Sequence, residues 1–318
     1  MKKIKLSIAL ASLLIAGVAV VSSCKKSITT TTPTPTPTIV DNDQSGASAN
    51  NTAENTSNDI VLMGAQASDM SSNTGSLSTY RNSNASQILG LSCATIIRDT
   101  INSTIIVTFN GTPCLDGRTR SGSLIYTYTN PNGSGFGYNR YRDPGFMLVV
   151  TAQNYIVNSN TVTINSKTIT NTTPVGFNYL VTNETWSISA NISIALASGA
   201  GTINWTSNRI KTLLNTSSVY TNVATPINWA AARISISDGP GDTYGNRSNG
   251  ETFTVTITNP LIRDFTCSPA GGGHPFIQGT FVYAPYGKYT RTFDYGTGAC
   301  DDLATLTING IVYNIILP

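Results

Sequence analysis

A regular alternation of apolar and polar residues constrains the fold of this chain more than any other feature. Residues 251–258 read ETFTVTIT, which puts Phe253, Val255 and Ile257 on one side of an extended chain and the threonines on the other. Side chains of a β-strand alternate between its two faces, so this pattern predicts a half-buried strand. The same alternation runs through residues 104–110, 123–129 and 161–169.

Short connections between these runs predict antiparallel pairing. Asn309-Gly310 joins the alternating runs 303–308 and 311–317, and Asn-Gly between two such runs is the strongest short-range signal for a β-hairpin. We count roughly 12 to 14 strand candidates, with connections too short for helical crossovers. The sequence therefore predicts an all-β fold, an antiparallel meander arranged as a sandwich or as a strongly curled sheet.

The composition agrees with this fold class. Surface helices draw heavily on Glu and Lys, but lysine is scarce and the only glutamates are Glu54, Glu184 and Glu251. Thr, Ile, Val and Tyr are abundant, and these residues suit pleated, half-buried strands. We expect little helix, and we expect residues 93–318 to form the β domain, either as one unit or as two similar halves produced by an internal duplication.

The N-terminus has the pattern of an export signal. Three lysines within the first five residues precede the apolar run 6–21, which is shorter than the roughly 20 residues of a membrane-spanning helix. The run ends at Ser22, Ser23 and Cys24, and residues 21–24 look like a bacterial lipobox, in which the cysteine thiol receives a diacylglycerol. We predict a lipoprotein signal peptide over residues 1–23 and a membrane anchor at Cys24; a plain secretory signal and a retained anchor helix are the alternatives.

Low-complexity sequence follows the predicted anchor. Residues 24–59 contain Thr-Pro repeats and then Ser, Asn, Ala and Gly, with too little apolar surface to pack. We predict that this stretch is the lipidated cysteine and a disordered tether. Residues 60–92 form a poorly defined lead-in, in which residues 60–65 fit either a short helix or an edge strand.

The charge balance argues against a nucleic-acid partner. The chain has 19 Lys and Arg, of which three lie in the predicted signal peptide, and the remaining 16 match the 16 Asp and Glu. A nearly neutral mature chain has no global basic field to attract nucleic acid.

Four cysteines remain once Cys24 is lipidated, and an even number in an exported protein indicates disulfides. Residues 107–117 and 291–302 resemble each other, each with Thr-Phe, a Gly-Thr turn and Cys-x-Asp, and each follows another cysteine. This repeat favours one of the three pairings, with one local cross-link in each copy: Cys93 with Cys114, and Cys267 with Cys300.

An Ile-Asn-Trp motif occurs twice, ending at Trp205 and at Trp229, with Arg209 and Arg233 at equal spacing after it. One interpretation is a sugar-stacking platform made by two tryptophans on neighbouring strands. The other, which we favour, is core packing of equivalent strands.

Arginines and tyrosines interleave in a second candidate ligand surface. One interpretation is a local anion-binding or glycan-binding surface, and the favoured one is a solvated sheet face with cation–π pairs. The residues are Arg118, Arg120, Arg140, Arg142, Tyr126, Tyr128, Tyr138 and Tyr141.

Catalytic signals are weak. The only histidine, His274, lies in a Gly-rich turn and has no carboxylate partner that the sequence reveals. Asp238 and Asp242 lie in SDGPGDTYGN, which reads first as a turn and only second as a calcium site. We predict no catalytic residue, no cofactor and no metal site.

Three stretches, CLDGRTRSGSLIYTY, YRDPG and DYGTGACDDLATLTING, together with the leader, resemble a group of uncharacterised exported lipoproteins of Bacteroidetes-type bacteria. The resemblance covers roughly residues 93–317 and implies a lipid-anchored place in the cell envelope, at the outer membrane. Acidic residues after the lipidated cysteine favour surface export in that group; Lys25 and Lys26 stand here instead, so a periplasmic or a surface-facing orientation stays open. Residues 99–101 also resemble the O-glycosylation sites of such bacteria, with Thr100 as the acceptor.

These observations lead to one functional expectation with two alternatives. The first is a membrane-tethered envelope protein with a non-enzymatic role, either structural or in binding an envelope protein or a glycan. A glycan-binding module of a polysaccharide-uptake system is the runner-up, and a carbohydrate hydrolase comes third.

Overall fold

Fourteen strands and one long helix make up most of the described chain in the computed structural model. The structure describes residues 41–70, 93–99, 101–114, 116–129, 140–178, 180–197, 199–219, 227–267 and 276–317. The helices are α1 (Ser45–Met70) and the single turn α2 (Thr216–Val219), with a 3₁₀ turn at Trp229–Ala231. The strands are β1 (Ala94–Asp99), β2 (Thr104–Pro113), β3 (Thr119–Thr129), β4 (Met147–Val157), β5 (Asn160–Asn171), β6 (Glu184–Ala195), β7 (Thr202–Leu213), β8 (Arg233–Asp238), β9 (Thr243–Asn246), β10 (Thr252–Asp264), β11 (Phe276–Pro285), β12 (Arg291–Thr297), β13 (Leu303–Ile308) and β14 (Ile311–Ile316).

The strands form one antiparallel sheet whose order follows the chain. Strands β1 to β8 are neighbours in sequence order, and β10 to β14 continue the series, while the short β9 pairs with both β7 and β10. The hairpin predicted between the last two strands is present, with Asn309 at φ 48° and Gly310 at φ 79°, as a tight hairpin turn requires. The prediction of an all-β antiparallel meander is confirmed.

Helix α1 corrects the predicted tether. The predicted boundary at residue 59 is wrong, because residues 45–59 form the first half of a 26-residue helix. Residues 56–68 are all buried, which covers several full turns of the helix. A helix packed on one face of a sheet keeps a solvent-facing side; this part of α1 has none, so protein surrounds it.

The sheet therefore curls around α1. Near its start the helix meets β12, where the Tyr295 hydroxyl donates to Asn51 (2.8 Å), and in its second half it meets β3, where the Tyr126 hydroxyl donates to the carbonyl of Ile60 (2.8 Å). Strands so far apart in the sheet order reach one helix because the sheet bends around it. Two glycines permit the close approach: a Cβ on Gly64 would lie 2.5 Å from the Tyr126 ring, and Gly46 faces Tyr283 in the same way.

Both favoured disulfides are present. Cys93 bonds to Cys114 and Cys267 bonds to Cys300. Each bridge joins the residues that flank one hairpin, β1–β2 in the first case and β11–β12 in the second. The structure groups residues 41–318 into one compact unit, and the internal duplication stays a prediction.

Removing the first half of α1 tests the corrected boundary. A chain that starts at residue 60 lacks Glu54 and Asp59, whose arginine partners are then left buried without those counter-charges. Losing one partner of a buried ion pair costs about 3–5 kcal/mol. We expect a chain that starts at residue 41 to unfold cooperatively on heating, followed by circular dichroism, and the shorter chain to show no cooperative transition. Equal melting temperatures would contradict the structural role of the helix.

Candidate functional site

Ion pairs between α1 and the sheet account for part of the predicted arginine surface. The Arg120 guanidinium is buried and donates to the carboxylates of Asp59 (2.6 Å) and Asp116 (2.6 Å), while Arg118 lies 3.3 Å from Asp59. Burial alone would raise the pKa of Asp59, but the charges of Arg120 and Arg118 lower it to about 2. Both interpretations from the sequence are wrong for Arg120, because its side chain faces the helix and has no access to solvent.

Arg140 and Arg142 are also not part of an exposed surface. Both residues are buried, and Arg140, which directly precedes the YRDPG turn, donates to Asp143 of that turn (2.7 Å). Tyr141, between them, is buried too. Tyr138 lies outside the described residues, as do Cys24, Thr100 and His274.

The two tryptophans are core residues that occupy different kinds of structure. Trp205 lies on β7, is buried, and donates its indole N–H to Asn50 of α1 (3.0 Å). Trp229 is buried in the 3₁₀ turn before β8. The sugar platform is therefore wrong because neither indole faces solvent. The expectation of equivalent strands is wrong as well, since Arg209 lies within β7 whereas Arg233 begins β8.

Two neighbouring rows of inward-facing residues place two further cations in the interior. Ladder pairing joins Asn171, Trp186, Lys211, Ile236 and Leu261 in one row across five strands. The adjacent row joins Glu184, Leu213, Ile234, Arg263 and Phe276. Because directly paired residues share a face of the sheet, Lys211 and Arg263 both point into the curl.

Lys211 lies inside a cage of aromatic rings. Its ammonium nitrogen is 4.6 Å from the centre of the Trp229 ring, 5.1 Å from Trp186 and 5.4 Å from Tyr141. The Tyr141 hydroxyl is 3.4 Å away. Burial, with the charge of Arg263 adding to it, lowers the pKa of Lys211 to about 7. Ring faces attract cations, so the cage compensates part of the charge that burial disfavours.

Helix α1 and two strands hold Tyr141 in this cage. Its backbone N–H donates to the Ser68 hydroxyl (3.1 Å), and its carbonyl accepts from the Trp186 indole (3.1 Å) and the Asn171 amide (3.1 Å). The Tyr141 and Trp186 rings stack with centres 4.9 Å apart. The cage is thus fixed by backbone contacts as well as by packing.

Arg263 is the most unusual residue of the interior. It is 5% exposed, its guanidinium lies 4.7 Å from the centre of the Phe265 ring and 5.9 Å from that of Phe276, and no described residue accepts a hydrogen bond from it. Desolvation, followed by the charge of Arg118, lowers its pKa to about 10, so it stays charged at neutral pH. The indole N–H of Trp229 likewise has no acceptor among the described residues. We call Arg263, Lys211, Trp229, Tyr141, Trp186 and Phe265 the cationic cluster.

Sequence reasoning missed Lys211 and Arg263, although a signal was present. Along β7 the inward positions run Ile203, Trp205 and on to Leu213 in steps of two, and Lys211 occupies one of them. Arg263 follows Leu261 in the same way on β10. A charged residue at an apolar position of the period-two pattern marks a side chain that must be compensated or functional.

Comparisons with protein-family models, with curated proteins and with solved structures found no match to this chain. Within the described ranges, neither α1 nor α2 has the combination of length and hydropathy that crossing a membrane requires. The described His, Cys, Asp and Glu side chains do not gather into a group of three or more that could hold a metal ion. Asp238 is instead committed to Arg209 and to the backbone N–H of Ile257 (2.7 Å).

The buried lysines predict a stability that rises with pH. Lys167, which donates to Ser57 of α1 (2.6 Å), and Lys211 have pKa values lowered from 10.5 to about 7 by burial. Between these two pKa values the unfolded chain binds more protons than the folded one, so the free energy of unfolding increases with pH. Below pH 7 both lysines are charged in the folded chain, and the full cost of burying the two charges lowers its stability. Denaturant unfolding at several pH values between 7 and 10.5 measures the slope.

Substitutions show whether Lys211 contributes to this pH dependence of stability. Lys211→Met should reduce the slope without abolishing it, because one unfavourable ammonium is gone and that of Lys167 remains. Lys288→Met is the control: Lys288 is partly exposed and its pKa is raised, mainly by its hydrogen bond to Glu251, so it titrates above this window. An unchanged slope in Lys211→Met would show that Lys211 does not titrate there.

Truncating the tryptophans should destabilise the domain. Trp205→Ala and Trp229→Ala each remove a large buried ring, which typically costs about 3–5 kcal/mol. Tyr286→Ala is the matched control, since Tyr286 is 86% exposed and exposed substitutions stay within about 0.5 kcal/mol. Denaturant melts give the three values, and tryptophan variants as stable as the parent would refute the core assignment.

Proposed function

We propose that this chain is a lipid-tethered protein of the cell envelope that acts by structure or by binding and not by catalysis. The observation that carries the proposal is the junction of residues 21–24, where small residues and Cys24 end an apolar, basic-flanked leader. The two disulfides support it, because such bonds persist mainly in oxidising compartments outside the cytosol. The start of α1 at Ser45 leaves a tether that is shorter than residues 24–59.

The ion pairs of three carboxylates, Glu54, Asp59 and Asp238, support a role without catalysis. Glu54 pairs with Arg209 (2.8 Å), Asp59 pairs with Arg120, and Asp238 pairs with Arg209. A carboxylate whose oxygens are engaged by a buried arginine is not free to contact a substrate and exchange a proton with it. The hydrolase alternative thus draws no support from these three groups.

A binding role fits the cationic cluster better than the surfaces that the sequence suggested. The glycan-binding alternative rests on Trp205 and Trp229, which are both buried, and on the arginine and tyrosine surface. Four residues of that surface are buried as well: Arg120, Arg140, Tyr141 and Arg142. The cluster, by contrast, has hydrogen-bond donors without acceptors among the described residues. A buried donor without an acceptor is energetically unfavourable, and a bound ligand is one way to satisfy it.

Replacing the predicted lipid acceptor tests the proposal. Cys24→Ser should abolish incorporation of a labelled fatty acid and should move the protein from the membrane fraction to the soluble fraction, because serine cannot form the thioether. Ser22→Ala is the control: it keeps a small residue in the junction and should retain both label and membrane association. Membrane retention and labelling of Cys24→Ser would refute the anchor.

A further inference from the structure

We propose that Arg263, Lys211 and Trp229 form an internal binding site for a small organic carboxylate, a monoacid with an aromatic or aliphatic body. The inference gives a ligand class to the binding role proposed above and rests on that role, but it does not depend on the lipid anchor.

The first argument is the missing partner of Arg263. The other buried arginines with known partners each bond to a carboxylate: Arg120 to Asp59, Arg140 to Asp143, Arg209 to Glu54 and Arg291 to Asp41. Among the described residues nothing accepts a hydrogen bond from Arg263, although its side chain is 5% exposed. A guanidinium has five N–H donors and stays charged at neutral pH. Leaving it unpaired in the interior is costly, and an anion would remove that cost.

The anions of the protein near Arg263 are already engaged. Asp59 is shared between Arg120 and Arg118. Asp116 pairs with Arg120. Glu184 accepts from the Asn171 amide (3.3 Å). These carboxylates attract Arg263 or Lys211 at long range, but none of them accepts a hydrogen bond from Arg263.

The second argument is that the side chains carrying these donors are neighbours. The Phe265 ring is shared: Arg263 lies 4.7 Å from its centre, and the Trp229 ring centre is 6.3 Å from it. The Lys211 ammonium is 4.6 Å from the Trp229 ring centre. The side chains that carry the guanidinium, the ammonium and the unused indole N–H are thus linked through two neighbouring rings, Trp229 and Phe265.

The chemistry of this region selects the ligand class. A guanidinium binds a carboxylate through two parallel hydrogen bonds, and an indole N–H or an ammonium can complete the coordination of its oxygens. The surrounding rings of Phe265, Phe276 and Tyr141 would contact an apolar body, as is usual for small-molecule sites. An inorganic anion such as phosphate could use the donors but not the rings, so the organic acid fits better.

Thermal unfolding of the full chain in detergent, with benzoate as the probe, tests the site. A ligand that binds only the folded state raises the melting temperature with the logarithm of its concentration. We expect benzoate to raise it, and we expect benzamide, which has the same shape without the charge, to leave it unchanged. Inorganic phosphate should give a smaller shift than benzoate at equal concentration and ionic strength. Benzamide or phosphate shifts equal to that of benzoate would overturn the proposal, as would the absence of any benzoate shift.

Two arginine variants separate a ligand site from a structural charge. Arg263→Met keeps most of the side-chain volume and removes an unpaired charge, so the variant should melt at or above the parent temperature and should lose the benzoate shift. Arg209→Met is the matched control: it removes a paired arginine from Glu54 and should lower the melting temperature while keeping the benzoate shift. A benzoate shift that survives in Arg263→Met would overturn the assignment. So would an Arg263→Met melting temperature lowered as far as that of Arg209→Met, since Arg263 would then be part of the fold.

The outcome for the ligand site is independent of the outcome for the anchor. Failure of the benzoate experiment leaves the membrane fractionation of Cys24→Ser unaffected. Conversely, a Cys24→Ser protein that stays on the membrane would refute the anchor and leave the benzoate result standing.

Discussion

Four polar side chains that α1 brings into the interior find their partners on the surrounding sheet, and the placement of the helix depends on these pairs. Water cannot reach these groups, so an unpaired amide or carboxylate would carry its full desolvation cost. The sheet supplies the partners from distant strands. Asn51 bonds to β12, Glu54 to β7, Ser57 to β5 and Asp59 to β3.

This arrangement specifies one position of the helix in the sheet more than it adds to the net stability of the fold. A buried ion pair adds little compared with apolar residues of the same volume, but breaking it is expensive. The pairs of α1 therefore discriminate against any shift of the helix along the curl, because a shift would misplace several pairs at once. Arg263 departs from this rule. In natural proteins such departures concentrate at functional positions. We therefore interpret the cationic cluster as a binding site and the ion pairs of Arg120 and Arg209 as structural.

The strands were predictable and the helix was not, for the same physical reason. A strand reveals itself in a local pattern of period two, and a Gly-containing turn such as Asn309-Gly310 fixes its end. The disulfide pairing was also local, since each bridge flanks one hairpin. Helix α1 has no amphipathic stripe, because polar residues on all its sides meet arginines and tyrosines far along the chain. A Ser-, Asn- and Thr-rich stretch of this kind is typical of disorder when its distant partners are unknown. The prediction of the candidate site was incomplete for a similar reason, since its contacts also join distant parts of the chain. The local pattern places Trp229 on a strand and does not reveal that Lys211 lies among aromatic rings.

The position of α1 at the start of the domain has a consequence for how the chain reaches its native state. The helix begins at Ser45, yet its partners include Tyr295, and Arg291 binds Asp41, which is 250 residues earlier in the chain. Contacts of such long sequence separation must wait for loop closure, which slows folding. During synthesis or export the residues of α1 thus emerge before the strands that hold their partners, and the interior can close only after the last strands arrive. The Cys93–Cys114 bridge, with a separation of 21 residues, can form well before that moment. The early half of the domain would then be cross-linked while its central helix is still unfolded and accessible to chaperones.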